Sequence, residues 1–328
     1  MGPDVTDPQH RPAAGRRRIE DLRFVVIGAY VVDCFVRVPR LPAWGEELEA
    51  RSIRTSPGGK ALNQAVALSR LGAQVTAVGA VGLDGPGQDV LAALARDGVD
   101  VGFIESRPKV ATTVCLCFVG DDGESSIVWH IDDDAAVTPE TMRAASSALQ
   151  RADAALITFE LPVPAIREAI GAAHRCGARV ILQPAPVLAD HGSAKSLPWS
   201  DVDLLVPNEA EARALLGDTQ ADPGADGLAS TLAAELGVGA VVVTLGAAGC
   251  AAHTAGTTRH YPAPQAEAVD TTGASDAFTA TLAALITAGT PEDKAIPAAH
   301  TAAAWAIGHP GGYMSMPRWV DGPAAKPG

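Results

Sequence analysis

Asp270-Thr-Thr-Gly-Ala-Ser-Asp276 runs directly into Ala-Phe-Thr-Ala-Thr-Leu-Ala-Ala-Leu-Ile, a tight polar turn feeding an apolar helix. Phe278, Leu282, Leu285 and Ile286 recur at i, i+4, i+7 and i+8, which is one buried helix face. The free N–H groups of a helix start, with the helix macrodipole, make an anion site. A carboxylate such as Asp276 is disfavoured beside a bound phosphate unless it has work to do. That work would be taking a proton from a hydroxyl that attacks the phosphate. Acidic residues are also common helix caps, so this stretch alone supports a base and a cap equally.

Other residues of this kind stand elsewhere in the chain. Ser56-Pro-Gly-Gly-Lys60-Ala-Leu-Asn63 places two glycines, a lysine and an asparagine at a helix start. Adjacent glycines let backbone approach a ligand, and Lys60 and Asn63 bind hydroxyls or phosphate oxygens. The chain contains no Gly-x4-Gly-Lys-Ser/Thr phosphate loop. Asn208 and Glu211 follow an apolar run and share one side of a first helical turn. They suit water around Mg²⁺, and also a capping box, which is the better reading of that spacing alone. Thr244-Leu-Gly246-Ala-Ala-Gly249 ends a strand, as a nucleotide wall or an ordinary hairpin turn. Asp33 and Glu160 each stand just beyond a strand, where carboxylates suit sugar hydroxyls.

The elements that must position these residues alternate. Strands are expected at Arg23–Gly28, Val75–Val81, Ala154–Phe159, Arg179–Gln183, Asp203–Val206 and Ala240–Thr244. Helices are expected at Asn63–Leu71, Gln88–Asp97, Val163–Cys176, Glu209–Leu216 and Gly227–Leu236. Repeated alternation with short apolar strands predicts an α/β fold, a three-layer αβα sandwich on a mostly parallel sheet. Two segments, about 32–54 and 101–131, alternate with period two, and the second holds the hairpin signal Gly120-Asp-Asp-Gly-Glu124. Together they predict a small β-sheet lid. Residues 1–21 and 321–328 are expected to be disordered tails flanking one domain over 22–320.

With 328 residues, 47% of them hydrophobic, the chain can bury a large core. A formal net charge of −13 argues against nucleic acid or an anionic membrane surface as partner. Phe24–Val36 is too short to span a bilayer and contains Asp33. Cys34, Cys115, Cys117, Cys176 and Cys250 are too scattered for a disulfide framework. Cys115-Leu-Cys117 reads as strand core, and the expected location is cytoplasmic.

Taken in order, these motifs resemble the ribokinase-like sugar kinases (the phosphofructokinase B superfamily) over roughly Leu22 to Pro317. The resemblance rests on Gly58-Gly59-Lys60, on Asn63 through Ala73 and on Asp270 through Phe278. Pro207-Asn208-Glu-Ala-Glu211, Thr244-Leu-Gly246 and Ser315-Met-Pro317 support it. It implies an ATP-dependent kinase with Asp276 as base and the N–H groups of Gly273, Ala274 and Ser275 as anion hole. It further implies sugar contacts from Asp33, Gly59, Lys60, Asn63 and Glu160. Asn208 and Glu211 would organise Mg²⁺ and phosphates, and Thr244, Gly246, Gly249 and His300 would line the nucleotide site. A K⁺ or similar ion is implied at Asp270, Thr272 and Ser315, with Ala306, His309 and Gly311 as carbonyl donors. The substrate is expected to be a sugar, with a nucleoside second because Tyr30 and Val31 could pack on a base. A homodimer through the lid is a further expectation.

Three positions depart from the family pattern: Ser275 replaces Gly, Val31 replaces Asn and Asp134 replaces Asn. Ser275 is expected to be tolerated if its backbone is helical. It is also the one feature favouring a catalytically weak binding protein. The acids Asp132, Asp133 and Asp134 would either be solvated or meet a basic group on the substrate.

Overall fold

Ala154–Thr158 is buried at every position and Arg179–Gln183 at all but the first, the pattern of strands covered by helices on both faces. In the computed structural model, which describes residues 16–121, 125–131, 133–188, 194–217 and 224–318, such runs build a nine-stranded sheet. Its strands are β1 (Arg23–Ile27), β4 (Gln74–Gly82), β5 (Asp100–Arg107), β8 (Ala154–Thr158), β9 (Arg179–Gln183), β10 (Leu204–Leu205), β11 (Ala240–Thr244), β12 (Cys250–Thr254) and β13 (Thr257–Tyr261). Their order is β13-β12-β11-β10-β9-β8-β1-β4-β5, antiparallel at β11–β12–β13 and parallel elsewhere.

One face is covered by α1 (Lys60–Arg70), α2 (Gly85–Arg96), α8 (Ala274–Thr287) and α9 (Glu292–Ile307). The other carries α3 (Pro139–Ala144), α4 (Ser146–Leu149), α5 (Val163–Arg175), α6 (Glu209–Leu216) and α7 (Gly224–Leu236). Two apolar cores therefore sandwich the sheet, giving the expected ribokinase-like αβα architecture. A second sheet has the order β3-β2-β6-β7, from β2 (Val31–Arg37), β3 (Ser52–Gly58), β6 (Val114–Val119) and β7 (Ser125–Val128). No helix among the described residues is long and apolar enough to cross a membrane.

Two boundaries differ from the sequence expectation. The segment 101–131 divides: Asp100–Arg107 pairs with β4 as the edge of the main sheet, and the lid takes strands only from Val114 onward. Period-two alternation describes a half-buried edge strand as well as a lid strand, and Ile104 is committed to the core beside α2. Residues 16–21 are not a loose tail. Arg17 N–H donates to the Ala288 carbonyl at 2.9 Å, its guanidinium pairs with Asp153, and Ile19 packs on the core. The tip Asp122-Gly-Glu124, Asp132 and the expected C-terminal tail lie outside the described residues, as does the side chain of Asp133.

Candidate active site

The parallel strands end on one edge of the sheet, and the chemistry-bearing residues gather at those carboxyl ends. Gly273 caps α8 at φ 83°, ψ −3°. A Cβ there would lie 2.7 Å from Met316 Cε and 3.1 Å from Gly312 Cα, so this left-handed position against the C-terminal loop requires glycine. The Ala277 N–H donates back to the Gly273 carbonyl at 2.9 Å and the Ala274 N–H makes a long bond to the Thr271 carbonyl at 3.3 Å, so the other N–H groups of the first turn stand at the mouth of the helix. Ser275 is the second residue of α8 and has no positive φ, so serine brings no backbone strain there.

Asp276 is 2% exposed. Its Oδ2 accepts from Asn63 Nδ2 at 2.9 Å and its Oδ1 from Gln64 Nε2 at 3.4 Å. Gln64 also donates to Gln183 Oε1 at the end of β9. Burial pushes the Asp276 carboxyl above its usual range, against the pull of Lys60, Asn63, Gln64 and Gln183. The Asn63 Oδ1 is buried without a partner, an acceptor left for a donor beside Asp276.

Lys60, half-buried at the start of α1, lies in the field of Asp276, Glu160, Glu211 and Asp33. Burial pulls its pKa down, but the four carboxylates outweigh that and hold it above the usual value. Glu160 accepts the Lys60 backbone N–H at 3.2 and 3.1 Å, and burial is the main cause that raises it to about 7. Asp33, 7% exposed on β2, is raised to about 6 by burial and then by the charge of Asp276. A Cβ on Gly58 would lie 2.0 Å from Asp33 Oδ2, so this carboxylate rests on bare backbone beside Gly59. The five expected sugar residues thus share one region with Asp276.

Asn208 and Glu211 form the capping box of α6. Asn208 Oδ1 accepts from Glu211 N–H, Glu211 Oε2 accepts from Asn208 N–H, and Glu211 Oε1 accepts from Asn208 Nδ2, each at 2.8 Å. Burial raises the Glu211 carboxyl, and the charges of Lys60 and Asp276 reach it. Thr244 is bridged to Asn208 across the strand ends. Gly246 is exposed in a turn joining the antiparallel strands β11 and β12, the ordinary hairpin reading. Gly249 is buried, and its own Cβ position lies 2.0 Å from the Tyr261 carbonyl, so the close approach of β13 already requires glycine there. His300, 5% exposed, packs on Phe278 at 5.0 Å, with Nε2 unpartnered.

Asp270 accepts Thr272 N–H with Oδ1 and Gly311 N–H with Oδ2, both at 2.9 Å. The turn-forming role is therefore realised, and it ties the loop before α8 to the C-terminal loop. The Ser315 hydroxyl, fully buried, donates to the Gly312 carbonyl at 2.9 Å. The Ala306 carbonyl accepts the His309 N–H at 3.1 Å, and half-buried His309 uses Nδ1 on the Trp305 carbonyl at 2.8 Å.

Tyr30 does not line the site. It is 1% exposed, and its hydroxyl donates to the Val26 carbonyl at 2.9 Å within the core, which removes the expected base-packing role. Asp134 is exposed, while its carbonyl accepts from Arg107, which also donates to the Ala136 carbonyl at 2.8 Å. Two residues were missed. Gln64 stands inside a motif already singled out, and Gln183 is a polar residue closing an apolar strand run, the available signal for both.

A buried carboxylate at a helix mouth, beside a lysine set among acids and under a small second sheet, defines a phosphotransferase of the ribokinase-like fold. The sequence matches the pfkB family carbohydrate kinase profile over residues 21–319. It is 32% identical to ribokinase of Mus musculus over 261 residues, 79% of this chain and 80% of that one. The structure of Arabidopsis thaliana ribokinase with ribose and ATP is similar with TM-score 0.76 and 27% identity, over 92% of this chain and 97% of that one. The Burkholderia thailandensis nucleoside kinase with inosine shares the fold at TM-score 0.75 and 20% identity, over 91% and 94% of the two chains. The chain belongs to the pfkB family of carbohydrate kinases, and is an ATP-dependent carbohydrate kinase.

Proposed function

We propose that the chain transfers the γ-phosphate of ATP to a primary hydroxyl of a free sugar, with ribose the first candidate. The observation that carries this is Asp276, held by Asn63 and Gln64 at the mouth of α8. Asp276 takes the hydroxyl proton as the oxygen attacks the γ-phosphorus and the bond to the bridging oxygen of ADP breaks. The N–H groups of Gly273, Ala274 and Ser275 take up charge on the transferring group. Asp33, Gly59, Lys60, Asn63 and Glu160 orient the sugar, and the lid sheet excludes water.

Asn208 and Glu211 would hold Mg²⁺ through water, which neutralises phosphate charge when bound. The acid excess around Lys60 fits a cation there. Asp270, the Thr272 carbonyl and Ser315, with the carbonyls of Ala306, His309 and Gly311, would hold K⁺. The unpartnered His300 Nε2 fits an N–H donor on the adenine, and Thr244 with the Gly246 turn forms the nearby wall. Sugar is favoured over nucleoside because Tyr30 is sealed in the core. The helical backbone of Ser275, which spares serine any strain, supports the kinase reading over a weak binding protein. Ile53, Leu116 and Val128 are exposed on the outer face of the lid sheet with Trp129 beside it, and we propose this face as a homodimer contact. Five free cysteines accord with a cytoplasmic location.

The experiment is an ADP-release screen over pentoses, hexoses and nucleosides, with and without K⁺. Turnover on a free pentose, stimulated by K⁺, is the expected result. Turnover confined to nucleosides would overturn the substrate class, and none on any acceptor would overturn the reaction.

A further inference from the structure

β2 and β6 run parallel with Asp33 opposite Cys115 and Phe35 opposite Cys117. Side chains alternate along a strand, so Asp33, Cys115 and Cys117 project from one face of the lid sheet while Cys34 and Leu116 belong to the other. The two sulfurs and a carboxylate oxygen all lie within 4.8 Å of one another. Asp33 and Cys117 are buried, and Cys115 is half-buried, which leaves the cluster open on one side. The same face looks onto the body of the protein. A Cβ on Gly58 would touch Asp33, and Phe35 Cζ lies 4.0 Å from the Cβ position of Gly311.

We propose that Asp33, Cys115 and Cys117 form a binding site for a thiophilic divalent cation, Zn²⁺ by its ligand set, on the inner face of the lid. Tetrahedral zinc with ligands at about 2.0–2.3 Å separates neighbouring donor atoms by about 3.5–3.8 Å. The donor atoms, within 4.8 Å of one another, stand at most about 1 Å outside that spacing. All three ligands stand on two paired strands of one sheet, so lid motion leaves the site intact. Two thiolates and one carboxylate also discriminate against Mg²⁺, which takes oxygen donors and sheds water reluctantly. Three protein ligands and an open side match a zinc site that keeps one coordination position free.

The site is distinct from the Mg²⁺ and K⁺ positions proposed above. Its consequence rests on the sugar-kinase reading, because Asp33 is also the proposed sugar contact. Metal and sugar would compete for one carboxylate, and Zn²⁺ would inhibit competitively against the sugar.

The test uses the full chain with its cysteines reduced, titrated with Co²⁺ as a spectroscopic stand-in and then with Zn²⁺ by calorimetry, without ATP. The expected result is one equivalent bound per chain, with a thiolate-to-cobalt charge-transfer band. In the Cys115→Ser/Cys117→Ser double variant the band disappears and Zn²⁺ affinity falls by on the order of a hundredfold or more, the upper range for loss of even an outer-shell partner. Circular dichroism and thermal melting of the variant show whether it folds, and the single variants Cys115→Ser and Cys117→Ser each weaken the band if it does not. Absence of the band in the wild type, or unchanged Zn²⁺ affinity in a folded double variant, would overturn the site. Because turnover is not read, failure here leaves the kinase reading untouched. If the band forms but ribose at saturation leaves Zn²⁺ affinity unchanged, competition at Asp33 is overturned.

Discussion

Gly273→Ala separates an anion hole from a mere helix cap. Gly273 holds φ 83°, where an alanine costs about 1–2 kcal/mol. The new Cβ would also stand 2.7 Å from Met316 Cε, which can swing away, and 3.1 Å from Gly312 Cα, which is backbone and must give by a few tenths of an ångström. The N–H groups of residues 273–275 move with it. Since a 1 Å misplacement can cost about a hundredfold in rate, kcat should fall by about 10–100-fold. Gly256→Ala is the matched control, with φ 75° and nothing within 4 Å of the added Cβ. Both variants should lose a few degrees of Tm, since about 1 kcal/mol shifts a chain of this size by roughly 2–4 °C at most. A coupled ADP-release assay reads kcat and a thermal melt reads stability. If Gly273→Ala melts like Gly256→Ala and keeps kcat within about twofold of wild type, the anion hole is refuted.

Ser275→Gly should leave kcat within a fewfold of wild type and lower stability by about 0.5–1 kcal/mol, because position 275 is helical. Activity arising only in that variant would mean that serine blocks the site. Lowering the pH should reduce kcat/KM and raise Tm together. Glu160 is held at about 7 against 4.5 unfolded, and Asp33 at about 6 against 3.8. The folded state therefore keeps these protons more tightly, and the stability they contribute, full at low pH, is lost as pH rises through about 6 to 7. Asp276 is raised as well and must be ionised to act as base, so activity runs the other way. A pH–rate profile whose acid limb lies at the ordinary carboxylate range would count against this. Arg70→Leu should cost about 1.5–3 kcal/mol by denaturant titration, since it removes two charge-assisted hydrogen bonds from buried Asp97 and leaves it Tyr313, and Arg318 at 3.5 Å. Arg70 bonds Asp97 at 2.8 and 3.0 Å and donates to the Met316 carbonyl at 2.7 Å, so a loss of less than 1 kcal/mol would show that this pair anchors nothing.

The sandwich was legible because its strands are short apolar runs buried on both faces, such as Ala154–Thr158, and its helices carry a clear apolar stripe. Asp276 was legible through the helix that follows it, and Lys60 through the glycines before it. β5 was misassigned because alternation fits an edge strand and a lid strand alike, and only burial of Ile104 distinguishes them. Gln183 reaches Asp276 from 93 residues away along the chain, through Gln64, a contact that no local pattern encodes. Tyr30 and Gly249 stood next to plausible ligand loops, but one side chain turns into the core and one backbone meets β13. In both, tertiary packing decided what sequence neighbourhood could not.

Asp276→Asn tests the base role most directly. The amide keeps volume and a hydrogen-bonding acceptor for Asn63, but takes no proton from the substrate. The account predicts kcat down by about 10²–10⁴ with ATP affinity, measured by calorimetry, within a fewfold of wild type. Turnover within about threefold of wild type would contradict it.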